Sequence, residues 1–189
     1  MTWRLFTICF IWFTFLSFWV TGIFIFKPYK TKKRHKRWYL FLATIVFVTT
    51  TVEYLLAKHL TKKLNFIFPF DYLSDILGVV LILAGLLLAI WARITLGRFW
   101  SGSVAFIEGQ PIVKDGPYSI VRHPIYTGVI MMLWGCLLLE PFGFVLLIAV
   151  FGTILLAYKA RLEEGLLERH LGDKYSNYKK EVECSFIPG

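Results

Sequence analysis

The amino-acid sequence predicts an all-α integral membrane protein with five transmembrane helices. Composition is the first reason: 57% of the 189 residues are hydrophobic, 18% are aromatic, and the mean hydropathy is +0.64. Water-soluble domains hold roughly 45–50% apolar residues, so the excess points to lipid. Length is the second reason, because the apolar residues gather in stretches of about the 20 that a helix needs to cross ~30 Å of hydrocarbon. Charge is the third. Lys and Arg avoid those stretches and crowd the loops on one side of them, the positive-inside pattern.

Five stretches qualify, at 5–26, 38–57, 73–92, 124–140 and 142–158. The first has one basic residue before it and no small-residue cleavage site, so it reads as a retained span rather than a signal peptide. The second contains Glu53 near its end. An acidic residue in a span is a functional candidate, but Lys58 follows within about one and a half turns and favours a structural or interfacial role. Residues 65–71, NFIFPFD, are expected to form an aromatic turn at the outer interface. The last two stretches are short and joined by Pro141 and Gly143, which predicts a tight helical hairpin. Residues 1–189 therefore read as one unit, with three spans in 1–92 and the polar chemistry in 93–189.

The formal net charge of +9 is unevenly placed. Seven of the 21 Lys and Arg fall in KPYKTKKRHKR (27–37). With that loop in the cytoplasm, the inner loops hold 17 and the outer side 4, namely Arg4, Lys58, Lys62 and Lys63. The N-terminus is then expected outside, with the C-terminus and the polar segments in the cytoplasm. Topology and contact with anionic lipid headgroups account for the basic loop without a nucleic-acid partner. Cys9, Cys136 and Cys184 show neither a metal-ligand spacing nor a disulfide framework. Nucleotide fingerprints of the GxGxxG and GxxxxGK[ST] types do not occur.

Two segments carry the polar chemistry. The first, 93–123, is broken by Gly97, Gly102, Gly109, Pro111, Gly116 and Pro117, with an extended stretch expected near 103–107. The second begins at Lys159. There Leu162, Leu166 and Leu167 recur at helical spacing beside Glu163, Glu164 and Glu168, predicting an amphipathic helix. Gly172 ends that helix or separates it from a second short one at 173–182.

The sharpest local pattern is GPYSIVRHPIYTG, residues 116–128. Pro124 stands where the fourth span starts, a position at which proline loses no amide partner. The unpaired amides of 125–127 and the helix dipole then make a site for a phosphate or carboxylate. His123 and Tyr126 are three apart and share a face, and Gly128 leaves backbone accessible there. A pocket for a zwitterion follows from these residues. The plainer reading, Arg122 and His123 anchoring a helix end at the headgroups, accounts for them equally well. Lys159 and Glu163 lie four apart beside the same helix start. As an ordinary surface ion pair they would contribute only ~0.3–0.5 kcal/mol.

Taken together, RHPxYxG (122–128) followed by EExxLxxxxGxxYxxY (163–178) resembles the isoprenylcysteine carboxyl methyltransferase family. That family belongs to a wider group of integral membrane methyltransferases that includes the phospholipid N-methyltransferases. The resemblance covers roughly 93–188. It implies transfer of a methyl group from S-adenosylmethionine at the cytoplasmic face to a lipophilic acceptor from the bilayer, with no metal. The implied cofactor contacts are Gln110, Pro111, Ile112, Val113, Tyr118, His123, Pro124, Ile125, Tyr126 and Glu163. On the acceptor side the family's arginine, four residues before the tail-helix glutamate, is Lys159 here. Arg122 and Arg161 complete the candidate catalytic set, although Arg161 faces away from Lys159 on an ideal helix. Lysine attracts a carboxylate without arginine's two-bond fork. Carboxyl methylation of an isoprenylcysteine-like acceptor thus leads, with a phospholipid headgroup or another small lipophilic molecule as alternatives. A nicotinamide-dependent membrane reductase and a non-enzymatic scaffold are the readings from other classes.

Overall fold

A computed structural model describes residues 2–25, 72–100, 111–141 and 143–186. The expected second span with Glu53, the basic loop 27–37, the aromatic turn 65–71, the extended stretch 103–107 and Gln110 all lie outside these residues. Among the described residues every regular element is helical. The α-helices are α1 (Thr2–Ile25), α2 (Tyr72–Leu96), α3 (Pro124–Leu139), α4 (Gly143–Leu171) and α5 (Asp173–Glu181). Three of them, α1, α2 and α4, are long and apolar enough to cross a membrane. Helix α3, with 16 residues, rises about 24 Å and is shorter than the ~30 Å core.

Helices α1 and α2 run side by side in the same direction. Arg4 meets Asp75 at their first turns, Nη2 to Oδ2 at 2.7 Å, and Arg93 reaches the Gly22 carbonyl at their far ends. Helix α3 returns against α2 at very short range. A Cβ on Gly128 would stand 2.5 Å from the Gly85 carbonyl oxygen, and one on Gly135 would stand 2.9 Å from that of Gly78. Lipid is as apolar as a leucine side chain, so close backbone approach through small residues supplies much of the helix association. Gly128 therefore serves this crossing, and its bare backbone faces α2 rather than a ligand. Ile11, Phe15, Ile82, Leu86, Met132, Cys136, Leu139 and Val145 fill the space between the four helices. The outward faces remain apolar, with Phe6, Phe13, Leu87 and Leu155 exposed. Such a surface is suited to acyl chains and not to water.

The hairpin predicted at Pro141 and Gly143 forms, and Trp134 Nε1 of α3 donates to Thr153 Oγ1 of α4 at 3.1 Å. Beyond the hairpin the structure departs from a span followed by a separate tail helix. Helix α4 continues without a break from Gly143 to Leu171, about 44 Å, so the polar turns from Lys159 onward are a rigid extension of an apolar helix. Gly172, at φ +54° and ψ −130°, takes a positive-φ conformation open mainly to glycine, which ends α4, and α5 folds back along it. Tyr175 and Tyr178 of α5 are buried against Leu167, Leu171 and Ile112. The chain then crosses the segment before α3, where the amides of Arg122 and His123 donate to the carbonyls of Cys184 and Ser185 at 3.0 and 3.1 Å.

Candidate active site

Residues from the end of α2, the segment 111–123, the start of α3, the extension of α4 and α5 enclose one cavity. Each wall has a local cause. Gly116 takes φ +57° and opens the short 3-10 turn Gly116–Ser119. A Cβ there would come within 3.2 Å of Thr95 Oγ1 and 3.3 Å of Trp91 Nε1 on α2, so glycine suits both the turn and its docking. The turn buries Pro117 and directs Tyr118 to the cavity. Tyr178 donates its hydroxyl to the Tyr118 carbonyl at 2.7 Å and so joins α5 to the same turn. Burial pushes the Tyr118 phenol well above its usual range and Tyr178 up to about 12.

Helix α3 begins at Pro124, as its proline predicts, with His123 in the capping position. The Thr127 amide bonds the His123 carbonyl at 3.0 Å. The first-turn amides without such a bond are therefore those of Ile125 and Tyr126, rather than all of 125–127. The His123 and Tyr126 rings stack with centroids 5.5 Å apart and planes 3° from parallel. Tyr126 donates its hydroxyl to Glu163 Oε1 at 2.6 Å, which fixes the start of α3 against the extension of α4. Lys159 Nζ lies 5.2 Å over the Tyr126 ring and 3.9 Å from Glu163 Oε1. The i,i+4 pair of the sequence thus has a third member on another helix.

Of the residues expected to bind a cofactor, Pro111, Ile112, Val113, Tyr118, His123, Ile125, Tyr126 and Glu163 line this cavity, as does Arg122. Pro124 is buried behind it as the helix start. Lys159 stands beside it, against Tyr126 and Glu163. Arg161 is exposed and does not line it. Sequence reasoning missed Tyr175, Tyr178 and the hydrophobic wall of Leu96, Phe99, Trp100, Leu166, Leu167 and Leu171 as lining residues, and Glu164 as the partner of Arg122 and His123 behind them. Both tyrosines and Glu164 were visible in the motif that carries the resemblance. Their packing depends on α5 folding back, which the residue pattern alone does not fix.

The cavity lining combines two kinds of chemistry. Ile112, Leu166, Leu167 and Leu171 give it apolar walls, of the kind that suit a ring system. Around the start of α3, His123, Tyr126, Glu163 and two helix amides offer donors and an acceptor for a zwitterion. Among the described residues no group of three His, Cys, Asp or Glu is placed to hold a metal ion.

Comparison with known proteins adds an independent line. The family model for phospholipid methyltransferases matches residues 73–174, more than half of the chain. The chain is 32% identical over 122 residues to the protein-S-isoprenylcysteine O-methyltransferase of Schizosaccharomyces pombe, covering 63% of this chain and 50% of that protein. It is 32% identical over 81 residues to the uncharacterized protein YpbQ of Bacillus subtilis, covering 42% and 48%. With the methanethiol S-methyltransferase of Pseudomonas deceptionensis it shares 40% identity over 67 residues, covering 34% and 24%. The chain thus spans half or less of the length of these relatives. Its fold matches the structure of the eukaryotic intramembrane Ras methyltransferase ICMT, an isoprenylcysteine carboxyl methyltransferase, with a TM-score of 0.60 at 21% identity. That match covers 88% of this chain and 60% of the other. Helical bundle, site motif and family model converge: this chain belongs to the phospholipid methyltransferase family, the group of integral membrane proteins that includes the isoprenylcysteine carboxyl methyltransferases.

Proposed function

We propose that the protein is a methyltransferase that uses S-adenosylmethionine and methylates a lipophilic acceptor at the cytoplasmic surface of its membrane. The observation that carries this reading is the cavity at the base of α3, lined by both apolar side chains and the polar groups His123, Tyr126 and Glu163. Its apolar side chains suit an adenine ring, and its polar groups suit an amino-acid zwitterion. Within it, the amides of Ile125 and Tyr126 would hold the carboxylate, and Glu163, with His123 beside it, the ammonium. Pro111, Ile112, Val113, Tyr118 and Gln110 would complete the contacts. When bound, S-adenosylmethionine supplies a methyl group on a positively charged sulfur, and with it the electrophile. The chain's own residues align the acceptor and exclude water, the two effects on which such a displacement depends most.

Isoprenylcysteine carboxyl O-methylation is the leading activity, supported by the relative in fission yeast. A carboxylate is already ionised at neutral pH and needs no base, only attraction toward the site. Lys159 provides that attraction as a point charge. The same residue favours a second reading. Its ammonium lies against Glu163 and the Tyr126 ring, without the arginine fork that grips a carboxylate. The methanethiol S-methyltransferase relative then makes a small thiol an acceptor to test alongside a phospholipid amine. Either would have to lose a proton before or during attack.

Labelled S-adenosylmethionine offered to the detergent-purified protein tests the cofactor. Binding is expected in the wild type and lost in His123→Ala and Glu163→Ala. A folded wild type that binds reduced nicotinamide nucleotide instead is a reductase. For the acceptor, a farnesylcysteine analogue, phosphatidylethanolamine and a small alkyl thiol are offered side by side. Base-labile label in the first product indicates an ester, and base-stable label in either of the others displaces that reading.

A further inference from the structure

Glu163 and Glu164 are neighbours put to different uses. Glu163 lines the cavity, whereas Glu164, about 100° further round α4, does not. The Glu164 side chain is only 12% exposed and collects donors from three segments. Its Oε1 accepts from Arg122 Nε at 2.9 Å, lies 3.1 Å from His123 Nε2, and is 3.4 Å from Ser185 Oγ. Its Oε2 lies 3.4 Å from Lys179 Nζ of α5. Arg122 extends the network, donating from Nη1 to the carbonyls of Val182 and Glu183. A carboxylate has about four acceptor sites, so this one has little capacity left for a ligand.

We propose that Glu164 is the positioning residue of the site. It keeps a proton on Nε2 of His123, so that Nδ1 is the ring nitrogen turned toward Glu163, whose Oε2 is 4.0 Å away. A histidine's free nitrogen is set by the hydrogen bond its other nitrogen makes. The other groups around this ring are Arg122 and Tyr126 from its own segment and Phe186 from the C-terminal segment, with Lys179 reaching it only through Glu164. By holding Arg122 as well, Glu164 fixes segment 182–186 behind the ring, where Thr127 Oγ1 also donates to the Phe186 carbonyl at 2.8 Å. The inference rests on the cofactor reading for its functional meaning, but its structural content needs no ligand.

Nitrogen NMR of the full-length protein in detergent, labelled at its four histidines, provides the test. The His123 signals are assigned by their absence in His123→Gln. At a pH where the ring is neutral, the wild type is expected to carry its proton on Nε2. A wild-type ring protonated on Nδ1 overturns the proposal without any variant. Glu164→Ala removes the acceptor, and its ring should populate both forms. Glu164→Gln keeps an acceptor oxygen and should retain the wild-type pattern. Affinity for labelled S-adenosylmethionine should fall about tenfold or more in Glu164→Ala, the effect of losing a charge-assisted orienting bond, and recover at least in part in Glu164→Gln. An alanine variant with unchanged ring signals, or a glutamine variant no better than alanine, overturns the proposal. If alanine prevents folding, the wild-type and glutamine spectra decide. A wild type that binds no S-adenosylmethionine defeats the methyltransferase reading and leaves the ring-nitrogen result to judge Glu164 separately.

Discussion

Tyr178 shows how a single buried side chain ties the tail to the site. Its hydroxyl donates to the Tyr118 carbonyl, and burial first, then the nearby carboxylates against the opposing pull of Arg122, pushes its phenol up to about 12. A phenol raised in the folded state contributes stability that is whole below its ordinary range near ~10 and is lost as pH rises through about 12. The thermal midpoint should therefore fall across that alkaline window. Tyr178→Phe should lose about 1 kcal/mol at neutral pH and show a shallower alkaline decline. An equal slope in both proteins would show that the phenol is not coupled to folding. Lys159 supports a functional prediction at the same scale. If the acceptor is a carboxylate, Lys159→Arg supplies the missing fork and should lower KM for a farnesylcysteine analogue severalfold with kcat little changed. No gain in that assay would favour the thiol or amine acceptor.

The helices pack through features that a list of apolar runs conveys only in part. The spacing of Gly78 and Gly85 on α2, and of Gly128 and Gly135 on α3, brings two backbones together where no side chain fits. Gly128→Val should push the helices apart, since its added carbons meet the Gly85 carbonyl and Ala89. The expected loss is about 1–3 kcal/mol or more, measured as a lower unfolding midpoint in detergent, with cofactor affinity falling in parallel because α3 carries His123 and Tyr126. Val129→Leu, on a partly buried neighbour, should be milder and serves as the control. The start of α3 was legible from Pro124 and the end of α4 from Gly172, because both residues act on their own backbone. The continuity of α4 past Tyr158 was not, since a change from apolar to charged residues marks a change of surroundings and not a change of backbone.

At the scale of the molecule, the cavity lies where an apolar bundle gives way to charged helical turns. That placement suits a cofactor arriving from water and an acceptor arriving from lipid. The charge distribution predicts that this end faces the cytoplasm. Single cysteines at Arg161 and Lys174, both exposed, test it in a protein whose Cys9 and Cys184 have been replaced. An impermeant thiol reagent should label them only after the membrane is opened. Labelling in intact cells would reverse the orientation and leave the fold untouched.

By itself the sequence determined the membrane class and the start of α3, and its resemblance to a known family grouped His123, Pro124 and Tyr126 with Glu163. These rest on composition, on proline's missing amide and on a motif, all of which act locally or repeat a known pattern. Tertiary structure alone decided that Glu164 is held behind the cavity by Arg122 and His123, that Gly128 serves helix packing, that Arg161 stays outside, and that the tail crosses behind His123. Each of those depends on the rotation of one element against another. A rotation of one residue, about 100° on a helix, separates Glu163 beside the cavity from Glu164 behind it.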